Sequence, residues 1–405
     1  MGESLLGNTG RTAGMSANAQ EIAVTLVMPL AEKRGGSELM LWHVLSEGRG
    51  LGVRWNVVYL QDGPMVAQTR DLGIAAQVVE AGRMRDIHRI FFAARHIARI
   101  ARDENSRLIA SWISTGHLYG GTAAKIARLP ALWYDLGIPT LGNPLYRIAG
   151  KVPAREVWTC SGAGKPVLSQ LVGSTPIHVV YPGVELDRFN PDALPSPREA
   201  RAALGLPLTG PLIGIYGRLQ RWKGMHVLVE AMPRLLERYG DAHAVIVGGV
   251  QADEAEYEEE LRTLIVQKNL GDKVVLAGLQ TNVQMWMQAA DIIVHASDQE
   301  PFGIVITEAL SLGKPVVATN TAGPTEIITP DVHGLLTPYG DANALCAAIE
   351  QYLRDPDLRE RVSAAGRERA RDFSVARYAQ TVAARCREAA GVAPYVHHTA
   401  GDPGN

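Results

Sequence analysis

The apolar positions of this chain fall into short β-branched runs separated by longer stretches of helical period. In the first half the strand candidates are residues 22–30 (IAVTLVMPL), 55–60, 75–80, 108–114, 156–161 and 177–184. In the second half they are 211–219, 243–249, 273–279, 291–297 and 314–320. Helical patterns lie between most of them. The stretch 86–104, for example, places Ile87, Ile90, Phe91, Ala94, Ile97, Ala98 and Ala101 on one face. Wholly apolar strands alternating with helices predict parallel sheets covered on both faces. Two such series predict an α/β protein of two doubly wound, Rossmann-like domains. Between them, 185–210 is rich in proline and polar residues and carries no strand pattern. The expected organisation is a leader over 1–20, a first domain over 21–185, a second over 205–375 and a tail over 391–405. In paired α/β domains the natural ligand site is the cleft that the strands' carboxyl ends face.

A length of 405 residues agrees with two cores. Hydrophobic residues make up 46% and charged residues 20%, an ordinary globular balance. The net charge of -2 argues against a nucleic-acid binder. Three widely spaced cysteines form neither a disulfide framework nor a metal cluster, which points to a reducing compartment. No run of about 18 apolar residues exists, and the first residues lack a signal-peptide pattern. A cytoplasmic location is expected. The basic stretch 82–107 carries Arg83, Arg85, Arg89, Arg95, Arg99 and Arg102. Such a helix either lies on an anionic membrane, at the inner membrane face, or packs its apolar side on a sheet with its arginines solvated. The second is preferred, because a helix that covers a sheet needs that apolar side.

The candidate chemistry follows the strand ends. Gly35 and Gly36 separate the first strand from a helix that opens with Ser37 and Glu38. They form either a plain turn capped by Ser37 or a loop that lets backbone N–H groups approach an anion. His117 follows the strand at 108–114, as a cleft residue or a structural one. Arg218 and Lys223 straddle a strand end and a glycine-flanked loop, where two cations suit a diphosphate; the alternative is solvated surface charge. Residues 298–312 (DQEPFGIVITEALSL) hold Glu300 and Glu308, with seven residues between them. The loop ends at Gly303 and a helix follows, so the Phe302, Gly303 and Ile304 N–H groups face the same cleft. Glu308 would then accept from ribose hydroxyls and Glu300 from a sugar hydroxyl. Two look-alikes fail. CSGAGKP (160–166) lacks the earlier glycine and the Ser/Thr of an NTPase phosphate loop. The Asp355 and Asp357 pair sits between helical runs, as a stop and a cap. No G-x-G-x-x-G occurs, so no nicotinamide or flavin is expected.

Together these residues resemble the retaining glycosyltransferases of family 4, which have the GT-B fold. The segments that carry the resemblance are GRLQRWKG (217–224), SDQEPFGIVITEALSLGKPVVAT (297–319), AGPTEII and GLLTP after it, and VVYPGVELDRFNP before the second domain. It covers roughly 22–390. It implies that Arg218 and Lys223 neutralise a leaving diphosphate and that Glu308 holds the ribose. Glu300 and the backbone from Phe302 to Ile304 would position the donor sugar and its phosphate. His117 would reach the sugar from the first domain, Gly35 and Gly36 would approach the phosphate, and a last helix, about 376–390, would cross back onto the first domain. The donor would be a nucleoside diphosphate sugar, UDP-linked before GDP-linked. The hydroxyl acceptor, whether small molecule, oligosaccharide or lipid-linked, is left open, and neither a metal nor a cofactor is required. Rival assignments on the same fold are a sugar-nucleotide epimerase, a phosphorylase, or a sensor that binds the donor without turning it over.

Overall fold

The computed structural model describes residues 21–33, 35–82, 87–250 and 255–393. The expected leader, most of the expected tail, and Arg83 and Arg85 lie outside the described residues. The first sheet contains β1 (Ile22–Met28), β2 (Val53–Tyr59), β3 (Ala75–Val78), β4 (Ser106–Trp112), β5 (Ala131–Asp135), β6 (Glu156–Thr159) and β7 (Ile177–Val179). The second contains β8 (Leu212–Tyr216), β9 (His243–Val247), β10 (Val274–Gly278), β11 (Ile292–His295), β12 (Val316–Thr319) and β13 (Leu335–Thr337). All recorded pairings are parallel. β1 and β11 are buried along their whole length, as strands with helices on both faces must be.

The strand orders are β3-β2-β1-β4-β5-β6-β7 and β10-β9-β8-β11-β12-β13. Both sheets are wound outward in two directions from a central pair, β1/β4 in one and β8/β11 in the other. The connections leave these strands toward opposite faces, so a crevice opens beyond their carboxyl ends. The expectation of two doubly wound domains is therefore met.

Two strands escaped the sequence pattern. β5 is an aromatic run ending in an acid, ALWYD, rather than a β-branched one, and β13 is only three residues long between a glycine and a proline. β7 ends at Val179 instead of 184, because Tyr181-Pro182-Gly183 cannot continue a ladder.

The chain passes between the domains twice. On the way out, Val184 N–H donates to the Phe373 carbonyl at 2.7 Å; on the way back, Val375 N–H donates to the Val184 carbonyl at 3.0 Å. The helix Val375–Ala389 then lies against the helix Gly36–Glu47. Its Tyr378, Val382, Ala383, Cys386 and Ala389 are buried in the same core as Val24, Leu26 and Trp112 of the first sheet. Burying these side chains is worth on the order of 1.5–3 kcal/mol for each large one, so the last helix is part of the first domain's core.

Val382→Ala tests this packing. Val382 is fully buried in that core. The substitution should lower the unfolding free energy by about 2 kcal/mol, read as a lower urea midpoint at unchanged slope. An unshifted midpoint would show that the helix does not bear on the first domain's stability.

Candidate functional site

A cleft of about 840 Å³ opens between the domains. The elements that line it include the carboxyl ends of the central strands: Leu30, Gly35 and Gly36 after β1, Ile113 and Ser114 after β4, Gly217 and Arg218 after β8, and His295, Gln299 and Glu300 at the end of β11 and after it. The topology thus brings together residues far apart in sequence.

On the second domain's wall, β8 delivers Arg218 and a short 3-10 turn, Arg221–Lys223, delivers Lys223. Gly224 ends that turn at φ 74, and a Cβ there would come within 2.0 Å of the Ala296 carbonyl oxygen. Only glycine lets the two loops approach so closely. The β11 loop is pinned in turn: Asp298 N–H donates to the Trp222 carbonyl (2.8 Å), Thr319 Oγ1 to the Ser297 carbonyl (2.6 Å) and Thr321 Oγ1 to the Asp298 carbonyl (2.6 Å).

Glu300 lies at the centre of this wall. Its Oε2 accepts from Lys223 Nζ, and His295 Nε2 and Ser297 Oγ lie at 3.1 and 3.2 Å. Burial by itself would raise this carboxyl; Lys223 and His295 outweigh burial and hold it down at about 2. Glu300 is therefore ionised across the whole working range. Arg218 is exposed to the cleft and has no ion-pair partner among the described residues.

Two helix starts converge on the same space. The helix Ile304–Ser311 begins after Gly303, and the helix Gly36–Glu47 begins after Gly35; neither has a side-chain cap. A Cβ on Gly36 would lie 3.2 Å from Ile304 Cδ1, so the two starts face each other across the domain boundary. Uncapped N–H groups and the positive ends of two helix dipoles favour an anion there. Phe302 is buried against Tyr181 and Phe373, which holds the loop before the helix.

Gly35, Gly36, Arg218, Lys223, Glu300, Phe302, Gly303 and Ile304 all line the cleft. Glu308 does not: it is half-buried in the second turn of its helix, beside the linker residues Glu185 and Arg188. Burial chiefly, with some help from Glu185, pushes its carboxyl up to about 7, and Arg188 opposes this.

His117 requires a correction. It does not line the cleft but lies fully buried inside the helix Ile113–Ala127, stacked on Trp133 at 5.1 Å with Nε2 3.1 Å from the Val152 carbonyl. Burial pushes its imidazole down to about 4. No loop separates β4 from the helix Ile113–Ala127. Ile113 takes φ 54, rare for a β-branched residue, and turns the chain straight from strand into helix. Position 117 is thereby moved one turn into the helix and faces inward.

Asp135, which sequence reasoning passed over, is, like Glu38, a buried acid that the first domain places in the cleft. It sits at the carboxyl end of β5 and is 1% exposed. Tyr146 Oη donates to it at 3.2 Å. Burial raises its carboxyl to about 7, partly offset by Tyr146 and the Gly137 N–H. An acid at the end of a missed strand was the available signal. His295 and Ser297 were passed over too, although Ser297 opens the segment 297–319 and His295 lies two residues before it. A further carboxylate, Glu326, joins the domains: Gly162 N–H donates to Oε1 at 2.7 Å and Tyr181 Oη to Oε2 at 2.9 Å. Among the described residues no cluster of His, Cys, Asp and Glu could hold a metal ion, and no helix is long and apolar enough to cross a membrane.

Fold and site together define a two-domain α/β protein whose cleft is lined by two cations and two uncapped helix starts. The family model of glycosyl transferases group 1 matches residues 197–369, which span the second domain. A D-inositol 3-phosphate glycosyltransferase of Corynebacterium urealyticum is 36% identical over 187 residues, 45% of this chain and 44% of that protein. The lipopolysaccharide core biosynthesis mannosyltransferase LpsB of Rhizobium meliloti is 30% identical over 212 residues, 52% of this chain and 60% of that one. The chain thus spans about half the length of the curated relatives it matches. Among solved structures, Anabaena HepE in complex with UDP and glucose superposes with a TM-score of 0.79 at 24% identity, over 90% of this chain and 98% of that chain. Residues 197–369 match the group 1 glycosyl transferases, and the fold of the chain is GT-B. The family resemblance read from the motifs is borne out.

Asp135 generates a pH prediction. A carboxyl raised from 3.8 to about 7 binds more protons folded than unfolded between those values, so stability falls as pH rises through that window. Asp135→Asn removes this term. The variant's melting temperature relative to wild type should climb steadily from pH 5 to pH 8. A constant difference would show that Asp135 titrates normally.

Proposed function

We propose that the protein is a retaining glycosyltransferase that moves a hexose from a nucleoside diphosphate sugar, with UDP the preferred nucleotide, to a hydroxyl acceptor. The observation that carries this is the meeting of Arg218, Lys223 and two uncapped helix starts at one point of the cleft, beside an ionised Glu300. That combination suits a diphosphate joined to a polyhydroxylated group. The relatives named above support the class of reaction, and HepE, solved with UDP and glucose, supports the choice of nucleotide.

In this mechanism the bond between the anomeric carbon and the diphosphate oxygen breaks as the acceptor oxygen approaches from the same face and passes its proton to the departing diphosphate oxygen. The electron pair leaves with the diphosphate. Arg218, Lys223 and the N–H groups at the two helix starts receive that growing charge, which is transition-state stabilisation by fixed groups and calls for no metal. Glu300 keeps Lys223 in place and accepts from a sugar hydroxyl. Glu308, beside Arg188, takes the ribose. Asp135 and Tyr146, on the first domain's wall, are placed to hold the acceptor hydroxyl.

Arg218→Ala is the sharpest variant. Because Arg218 is exposed and unpaired among the described residues, its loss should leave the melting temperature unchanged. Turnover should fall by roughly 10²–10³, the range known for removing one donor from an oxyanion site. Lys223→Ala is less clean, since it strips the buried Glu300 of a partner. A thermal-shift series with UDP, GDP and ADP, with and without magnesium, identifies the nucleotide beforehand. Stabilisation by none of them at millimolar concentration would refute the proposal, as would an anomerically inverted product by proton NMR.

A further inference from the structure

We propose that the acceptor is a neutral polyhydroxylated ring, a sugar or cyclitol that carries no phosphate where it meets the cleft; this rests on the transfer reading of the same cleft. Two buried carboxyls on the first domain's wall, Glu38 and Asp135, select it.

Glu38 stands in the first turn of the helix Gly36–Glu47 and is 2% exposed, yet it lines the cleft. Its Oε2 accepts from Ser37 Oγ at 2.9 Å. The same oxygen lies 3.4 Å from where a Cβ on Gly35 would stand, so the carboxylate rests against the glycine loop after β1. Asp135 reaches the cleft from the end of β5, with Tyr146 Oη on it at 3.2 Å. Ser114 and the half-buried Tyr146 add hydroxyl groups to this wall, and Leu30, Ile113, Leu136 and Ile138 add apolar surface. Carboxyls accept, hydroxyls both donate and accept, and apolar side chains lie beside them. Such a surface fits a sugar ring, whose edge is hydroxyl and whose faces are C–H.

The same acids turn a phosphate away. An anion set against two buried carboxyls is the like-charge arrangement by which sites reject wrong partners. A carboxyl that takes up a proton stops repelling the anion, but it brings no positive charge to hold it. Arg218 and Lys223 belong to the opposite wall, and Lys223 is paired with Glu300. Lys33, ahead of the glycine loop, lies over the Trp42 ring with Nζ 3.4 Å from its centroid. The helix start after Gly35 faces Ile304, where the donor's diphosphate is placed, and its first turn already holds the Glu38 carboxylate.

The test is a set of binding titrations with the donor site filled. The full chain is saturated with a UDP-glucose analogue whose anomeric oxygen is replaced by a methylene group, so that no transfer follows. Dissociation constants are then read by saturation-transfer NMR for two matched pairs: myo-inositol with myo-inositol 1-phosphate, and methyl glucoside with its 6-phosphate. The neutral member of each pair should bind more tightly than its phosphate by roughly tenfold or more. Glu38→Gln and Asp135→Asn, which keep the side chain's shape, should each narrow that gap severalfold. A purely structural loss would weaken both members equally and leave their ratio where it was. Equal or tighter binding of the phosphorylated members overturns the proposal. So does a gap that neither variant changes, and so does a failure of both neutral polyols to bind. The donor reading has its own readout. An analogue that does not raise the melting temperature sinks sugar transfer and the acceptor assignment together. An analogue that does raise it, followed by a preference for phosphate, sinks the acceptor assignment alone.

Discussion

The site rests on one buried carboxylate. Glu300 would be expensive to keep ionised inside the protein without its partners, because desolvation alone favours the neutral acid. Lys223 and His295 reverse that preference, and by doing so they tie the loop after β8 to the loop after β11. The two central strands of the second sheet are thereby joined at the end where a ligand must sit. The close approach of Gly224 to Ala296 serves the same union from the backbone side. An ion pair of this kind is weak evidence for stability but strong evidence for position. It fixes where a cation and an acceptor of hydrogen bonds stand relative to each other.

A second carboxylate sets the relation between the domains. Glu326 takes the Gly162 N–H and the Tyr181 hydroxyl from the first domain while its own carbonyl accepts from Arg369. Next to it, Tyr181, Phe302 and Phe373 form a three-ring cluster spanning the domain boundary. Phe302 belongs to the loop whose N–H groups face the cleft. The loop beside the cleft is thus packed directly on a residue of the domain boundary, Tyr181. A shared contact of this kind is the physical form that a link between domain position and site needs.

Periodicity made both sheets legible because parallel strands buried on both faces are continuous apolar runs. The strands it missed are those whose composition departs from that rule, and β5 took Asp135 with it. His117 was misplaced for a different reason. A strand that passes directly into a helix depends on one residue, Ile113, in a strained conformation that local propensity argues against. Phe91 was misplaced because a helical wheel gives an arc but not its edges, and small alanines rather than large rings turned out to face the sheet. The Glu326 contact, linking residues 164 apart, has no local signature at all. The positions of Arg218, Lys223 and Glu300 at the cleft were legible because each of their two segments carries strand end, loop and helix start in one short stretch.

Three of the acids in and around the cleft, Glu300, Asp135 and Glu308, are held at different charges, and the difference fits an anionic ligand. Glu300 is ionised but already neutralised by Lys223. Asp135 and Glu308 lack such a cation in contact, and burial lifts both to about 7. A diphosphate entering the cleft would meet an exposed Arg218 and two helix starts as uncompensated positive charge, with Asp135 on the wall, and Glu308 behind the start of the helix Ile304–Ser311, as carboxyls that can take up a proton instead of repelling it. Like charges brought together raise each other's affinity for protons, so binding would push Asp135 and Glu308 further toward the neutral acid. A neutral carboxyl donates as well as accepts. Around the bound diphosphate the protein would then present groups able to donate to an oxygen as well as to accept from a hydroxyl, with the fixed cations left to face the leaving charge.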